Sequence, residues 1–174
     1  VHTPTLRHHA LGSPHPELGT TSLRDYVDDL ATFIATLPER PILIGHSMGG
    51  LLTQLLVAKG LAKAAILVCS AAPRGVFPVR LSMLPATTRI FSTPGFWKKP
   101  NKLNAREARY AVFNEISEGE AEARIDDLVH ESGRAAAEIV FALLQKNGAA
   151  THDCSAKKWP LLSIVGGRDR HVPS

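Results

Sequence analysis

The pattern of apolar and polar positions changes its period along the chain. From Leu23 to Leu37, apolar residues recur three and four positions apart, which predicts an amphipathic helix. Ser22, followed three positions later by Asp25, resembles a capping box and predicts where this helix begins. Pro38 predicts where it ends. The helix therefore offers one apolar stripe to a protein core.

Three short apolar runs follow, at residues 41–45, 64–69 and 159–167. Uninterrupted runs of this length predict strands that are buried on both faces of a sheet. Residues 49–59 lie between the first two runs and predict a helix that Gly60 stops. A strand, a helix and a strand with short connections predict a parallel pair. The predicted fold class is α/β, a parallel sheet with flanking helices.

The segment between the second and third predicted strands differs in character. Residues 73–100 predict an irregular chain with bulky apolar side chains, and three helices are predicted after it, at 104–114, 117–129 and 132–146. The insertion leaves the sheet where ligands bind in open α/β folds, so we expect a lid. An ordinary helical decoration is the alternative. The expected organisation is a single domain with core at 1–73 and 158–174, and a helical lid at 74–157.

Residues 45–49 read Gly-His-Ser-Met-Gly, directly after the first predicted strand and at the start of a helix. This is the setting of a nucleophile elbow, in which a strained turn raises a serine hydroxyl above the sheet. We expect Ser47 to be the nucleophile. The amide of Met48 would then donate to a developing oxyanion. A glycine-rich turn with an incidental serine is the alternative.

Three glycines are expected to make room for the elbow. Gly45 and Gly49 occupy positions where a side chain would collide with the neighbouring strand and helix, and Gly50 eases the same crowding. His46 is expected to pack beside the elbow. Phosphate-binding glycine motifs fit this stretch poorly, because it lacks the required lysine and glycine spacing.

A serine nucleophile needs a base and an acid that orients the base. Asp169 follows the third predicted strand, so it emerges at the same edge of the sheet as Ser47. The chain order of serine before aspartate matches that of the α/β-hydrolases. The alternative for Asp169 is a surface ion pair with Arg168 or Arg170.

Together, residues 44–50 and the Gly-Gly-x-Asp-x-x-x-Pro pattern at 166–173 resemble the α/β-hydrolase superfamily with an inserted helical cap. The chain is similar to bacterial single-domain esterases over nearly its whole length. The resemblance implies a catalytic histidine further along the chain and a His-Gly motif on an earlier loop. Neither lies within these 174 residues, so we expect a fragment, or parts supplied by another chain.

The histidines present fit other roles. His171 stands two positions from Asp169, too close to bridge from the acid to Ser47. His130 and His152 are interpreted as exposed lid residues. Four histidines precede the first predicted helix: His2, His8, His9 and His15. No cysteine or carboxylate stands at metal-ligand spacing from them, so we expect no metal site there.

Apolar side chains in the insertion suggest a pocket for an acyl or alcohol group, and the candidates are Phe91, Phe96, Trp97, Leu81, Met83 and Leu84. The equally open alternative is that they attach the lid to the sheet.

Composition narrows the class of protein. The 44% hydrophobic and 21% charged content is that of an ordinary globular domain. Twenty basic against 16 acidic residues, scattered along the chain, argue against a nucleic-acid partner.

Two cysteines form no disulfide framework, so a cytoplasmic location is expected. No apolar run is long enough to span a membrane. Because the first residue is Val1 and not methionine, the sequence leaves undecided whether a signal peptide precedes it.

Three functions remain at this stage. The first is cofactor-free hydrolysis of a small, hydrophobic ester, thioester or lactone through an acyl-serine intermediate. The second is carbon–carbon bond hydrolysis or cofactor-free peroxidation on the same fold. The third is an inactive remnant or interaction module that lacks the base. The substrate is a small molecule in the first two cases, and the oligomeric state is undetermined.

Overall fold

Short helices and strands alternate through the computed structural model, which describes residues 1–76, 81–145, 148–151 and 159–172. In chain order they are α1 (Leu23–Ala35), β1 (Ile42–His46), α2 (Met48–Ala58), β2 (Ala64–Val68), α3 (Leu84–Ser92), β3 (Pro100–Asn101), α4 (Ala105–Ala111), α5 (Glu118–Ile125), β4 (Glu131–Ser132), α6 (Gly133–Val140) and β5 (Leu161–Ile164).

A three-stranded sheet carries the fold, in the order β1-β2-β5. Both strand pairs are parallel, with Ile66 of β2 opposite Ile44 on one side and Leu162 on the other. The short strands β3 and β4 pair separately and antiparallel. The predicted α/β class with a parallel sheet is therefore confirmed.

The main core forms where α1 and α2 pack together. Leu23, Tyr26 and Leu51 are completely buried there, and Leu52 is nearly so. The predicted capping box holds the start of α1, since the Ser22 hydroxyl accepts from the Asp25 amide at 3.1 Å and the reverse bond is 2.8 Å long.

The two outer strands are less buried than their sequences predict. In β1, Ile42 and Ile44 are 61% and 69% exposed, and all four residues of β5 are exposed. The prediction that these strands are buried on both faces is wrong for the described chain. Both strands lie at an edge of the sheet, paired with β2 on one side only, and the described residues leave their apolar side chains largely uncovered.

The stretch predicted as irregular contains the helix α3. Pro85 stands in its first turn, where a missing amide costs nothing. Thr87 and Thr88 are poor helix formers, but their hydroxyls donate to carbonyls one turn back, at 2.9 and 2.6 Å. The side chain of Arg89 then pairs with Glu107 of α4 at 2.7 Å. Packing against α4 therefore outweighs the weak local preference.

The other helices of the insertion begin where predicted and end early. Asn104 and Ser117 form capping boxes at the starts of α4 and α5. α5 ends at Ile125, and α6 ends at Val140 before a 3₁₀ turn. Several sequence predictions lie outside the described residues: the end of the third helix at 146–147, His152, the 157/158 domain boundary and Pro173. Within the described ranges, none of the helices is long and apolar enough to cross a membrane.

Candidate active site

Ser47 lies on a sharp turn between β1 and α2, with φ 51° and ψ −121°. This backbone conformation is strained for any residue with a side chain. Hydrogen bonds hold it: the Ser47 amide donates to Val68 at 3.0 Å, and the Ser47 carbonyl accepts from Gly50 and Ala71, both at 2.9 Å. The surrounding backbone thus enforces the geometry that the sequence led us to expect for an elbow.

The glycines of the elbow have unequal roles. A Cβ added at Gly45 would collide with the carbonyl of Gly49 and the Thr53 hydroxyl, and one at Gly50 would lie 2.5 Å from the Ser70 hydroxyl. A Cβ at Gly49 meets nothing within 4 Å beyond its own helix and chain neighbours. The expected collision at Gly49 is therefore wrong. His46 is exposed rather than packed beside the elbow.

The amide of Met48 opens α2. The first amides of a helix have no intrahelical partner, and the positive end of the helix dipole adds to their attraction for an anion. Gly50 and Leu51 already donate to the Ser47 carbonyl, at 2.9 and 3.3 Å. Met48 also lies in the wall of the cavity that contains Ser47. The start of α2 and the cavity wall thus meet at Met48.

Asp169 sits in a tight turn just beyond β5. Its amide donates to the Gly166 carbonyl at 3.1 Å, and one carboxylate oxygen accepts from the amides of His171 and Val172, at 2.8 and 2.7 Å. Burial raises the pKa of this carboxyl, but hydrogen bonds from Val172 and from the Cys69 thiol outweigh burial and hold the pKa below its ordinary value. The carboxylate is therefore ionised at neutral pH. Arg168 pairs with Glu115 instead.

A cavity of about 690 Å³ contains Ser47. Ser47 follows β1 and Asp169 follows β5, so β2 separates the two strands that carry them. Helices of the insertion supply much of the apolar wall, which includes Met83, Ile90, Phe91, Leu128, Ile139 and Val140. Phe91 and Met83 were candidates from the sequence and lie in this wall, although the helix α3 that carries Phe91 was not predicted.

His171 lies in the wall of this same cavity. Its Nδ1 atom is buried and has no hydrogen-bond partner within the described part of the chain. Burial lowers the pKa of His171, and the nearby carboxylate of Asp169 does not restore it. The imidazole is thus neutral at pH 7, and it lacks the carboxylate bond that orients a catalytic base.

Phe96 and Trp97 lie outside the wall of the cavity, which corrects the expectation that they form it. Phe96 is 3% exposed and packs edge-on against Phe91 and Trp97. Trp97 is 48% exposed. Phe96 thus packs against other aromatic side chains of the insertion, whereas Phe91, also a candidate from the sequence, lies in the wall of the cavity.

Glu131 is a cavity residue that the sequence did not identify. Its carboxylate accepts from the buried Tyr26 hydroxyl at 3.0 Å and bonds the His9 ring at 3.1 Å. Burial lowers the pKa of His9, but this bond and the charge of Glu131 outweigh burial and raise the pKa overall. The bonds join the N-terminal loop, α1 and the insertion. No local sequence signal reveals them, because the partners are over 100 positions apart.

Among the residues that the structure describes, one cluster could hold a metal ion. Ligand atoms of His8, His15 and Glu17 lie within 4.8 Å of one another. The sequence interpretation found no carboxylate at ligand spacing, and Glu17 corrects that point. The cluster belongs to the loop before α1 and does not line the cavity around Ser47.

Comparison with known proteins agrees with this geometry. The sequence model described as the alpha/beta hydrolase family matches residues 1–174. Among curated protein sequences, none matches the chain.

Solved structures resemble the chain in fold. An extracellular α/β-hydrolase from a Paenibacillus species, described as sharing structural and functional homology with tobacco salicylic acid binding protein 2, aligns over 99% of this chain and 68% of its own, with 16% identity and a TM-score of 0.71. A methylesterase from Arabidopsis aligns over 97% and 66%, with 16% identity and a TM-score of 0.64. A Paleococcus ferrophilus monoacylglycerol lipase aligns over 89% and 58%, with 22% identity and a TM-score of 0.57. The chain thus spans about two thirds or less of these proteins.

Proposed function

Because this chain belongs to the alpha/beta hydrolase family, we propose that its protein cleaves a small, hydrophobic ester, thioester or lactone through an acyl-Ser47 intermediate. One observation carries the proposal: Ser47 sits at an enforced, strained turn and opens into an apolar cavity of about 690 Å³. A strained residue at a cavity is typical of a functional site.

The proposed reaction follows the logic of a serine triad. The Ser47 hydroxyl attacks the carbonyl carbon, its proton passes to a histidine, and the Met48 amide stabilises the oxyanion. The histidine then protonates the leaving group, and water hydrolyses the acyl-serine. Asp169 is the proposed acid that orients the histidine, which its ionised state supports.

The base is proposed to come from outside these 174 residues. His171 is the candidate within the cavity wall, but its buried Nδ1 is not bonded to Asp169. By this proposal, the 174-residue chain carries the nucleophile and the acid, and alone it is inactive. No cofactor takes part in the proposed reaction.

The insertion at 74–157 is proposed as a lid. The proposal is supported by α3 and α6, whose residues line the same cavity as Ser47. The cavity is lined mainly by apolar side chains, which suits a small hydrophobic substrate. A cytoplasmic location remains part of the proposal on cysteine content alone, and one similar structure is described as extracellular.

A fluorophosphonate probe tests the proposed nucleophile in the complete protein. The wild type should be labelled and should hydrolyse p-nitrophenyl esters, whereas Ser47→Ala should do neither. Asp169→Asn should slow turnover by roughly 10³- to 10⁴-fold, because the base loses its orienting carboxylate.

Ser163→Ala is the matched control, since Ser163 lies in the same cavity wall and has no proposed role. It should be labelled like the wild type. An unlabelled wild type, or labelling that survives in Ser47→Ala, contradicts the proposal.

A further inference from the structure

Two histidines and a glutamate lie together in the loop before α1. The Nε2 atom of His8 is 3.7 Å from a carboxylate oxygen of Glu17. The rings of His8 and His15 stack, with centroids 3.9 Å apart and planes 15° apart. All three ligand atoms fall within 4.8 Å of one another. Two imidazoles and one carboxylate therefore converge on one small volume.

The backbone fixes both halves of this cluster. His8 has a φ of 64°, in the left-handed region that residues other than glycine rarely adopt. The His9 amide closes the turn by donating to Leu6 at 3.1 Å. On the other side, the Leu18 amide donates to the His15 carbonyl at 3.0 Å, and Leu18 is 1% exposed. The core thus anchors the stretch from His15 to Leu18, and the strained turn positions the ring of His8.

We propose that His8, His15 and Glu17 bind a Zn²⁺ ion, with water completing its coordination. Imidazole nitrogen and carboxylate oxygen are ordinary ligands of this ion. The Nδ1 atom of His15 accepts a hydrogen bond from the Glu17 amide at 3.2 Å, so this nitrogen carries no proton, and coordination of the ion through it would replace this hydrogen bond. Zinc bonds of about 2.0–2.2 Å require the side chains to draw together. The Glu17 side chain, 76% exposed, is free to make this adjustment.

The ion would act on structure rather than on the proposed reaction. It would join the His8 turn to the stretch that Leu18 anchors in the core, and so restrain the loop between them. A ligand that binds the folded state alone raises the apparent stability. The site stands apart from Ser47, so it does not depend on the proposed hydrolase function.

Calorimetric titration of Zn²⁺ into tag-free, chelator-treated protein tests the site. The wild type should bind one ion per chain, and its Tm should rise by several degrees in excess Zn²⁺. His8→Gln and His15→Gln should each weaken binding by about tenfold or more and abolish most of the Tm shift.

His2→Gln is the control, because His2 packs edge-on against Phe33 and lies outside the cluster. It should bind Zn²⁺ like the wild type. Circular dichroism shows whether each variant is folded. If His8→Gln unfolds because of its strained turn, His15→Gln alone tests the site. A wild type that binds no Zn²⁺, or one whose affinity survives in folded His15→Gln, overturns the proposal.

Discussion

At the elbow, the space around single atoms decides which side chains the chain can carry. A Cβ at Gly50 would lie 2.6 Å from the Cβ of Ser70, whose hydroxyl is bonded to Gln54 at 2.8 Å. Ser70 therefore cannot move aside without losing that bond. Gly49, one position earlier on the same helix, has open space around it. The two neighbours form a natural pair for an experiment.

Gly50→Ala should lower the free energy of unfolding by about 1–3 kcal/mol, because it overpacks the contact with Ser70. Gly49→Ala should leave it unchanged or raise it by about 0.5–1 kcal/mol, the gain from replacing glycine in a helix. Urea denaturation of both variants measures the difference. Equal losses at the two positions would show that the Ser70 contact is not the cause.

Residue placements were predictable where they follow from strand ends. Ser47 and Asp169 each follow an apolar run, and strand geometry alone brings both to one edge of the sheet. Glu131 and Glu17 were not predictable as partners of His9 and His8. The contact of Glu131 with His9 depends on the tertiary fold, and the contact of Glu17 with His8 depends on the left-handed turn at His8.

At the scale of elements, helix starts were predictable where a side chain caps the helix, and a helix end was predictable where a glycine stops it, as Gly60 does after α2. Capping needs only a side chain and the amide three positions later, so Ser22, Asn104 and Ser117 signal their helices locally. The ends of α5 and α6 come earlier than predicted, and no glycine follows either of them directly. α3 has no side-chain cap, and Glu107, the partner of its Arg89, lies 18 positions further along the chain.

Arg89→Met should destabilise the protein by about 1–3 kcal/mol at pH 7, because it leaves the Glu107 carboxylate buried without its partner. Hydrogen bonding to Arg89 holds the pKa of Glu107 below its ordinary value of 4.5. A lowered pKa contributes stability above that ordinary value, and the contribution is lost as the pH falls through the folded-state pKa. Denaturation curves from pH 7 to pH 3 should therefore converge for the wild type and the variant.

The control is Arg109→Met. Arg109 pairs with Glu118, whose side chain is 76% exposed, and such surface pairs contribute about 0–1 kcal/mol. If Arg109→Met lowers the free energy of unfolding as much as Arg89→Met does, the loss is due to removing an arginine and not to the burial of Glu107.

At the scale of the whole molecule, the open faces of β1 and β5 stand out. Apolar side chains on these outer strands are 46–69% exposed: Ile42, Ile44, Leu161, Leu162 and Ile164. Their sequences suit strands buried on both faces. The apolar pattern reports what environment a strand suits, and it carries no information about what covers that strand. For this reason the sheet was predictable and the exposure of its edges was not.

Ile44→Lys should reduce self-association of the 174-residue chain and change its free energy of unfolding by about 0.5 kcal/mol or less. Leu43→Lys is the matched variant, since Leu43 points the other way and packs against the core. It should unfold the chain or cost several kcal/mol. Sedimentation velocity and urea denaturation separate the two effects. Increased association in Ile44→Lys would contradict this assignment of the exposed face.

The central position of β2 also sets the order in which the site is assembled. Its Val68 holds the Ser47 amide, and the next residue, Cys69, donates to Ile164 of β5. During synthesis the turn at Ser47 can close once β2 has emerged, whereas Asp169 follows only after β5, which begins at Leu161, almost a hundred residues later. Under the proposed function, the nucleophile is thus in place long before the acid. Until β5 has emerged, Ser47 of a growing chain lacks this proposed partner.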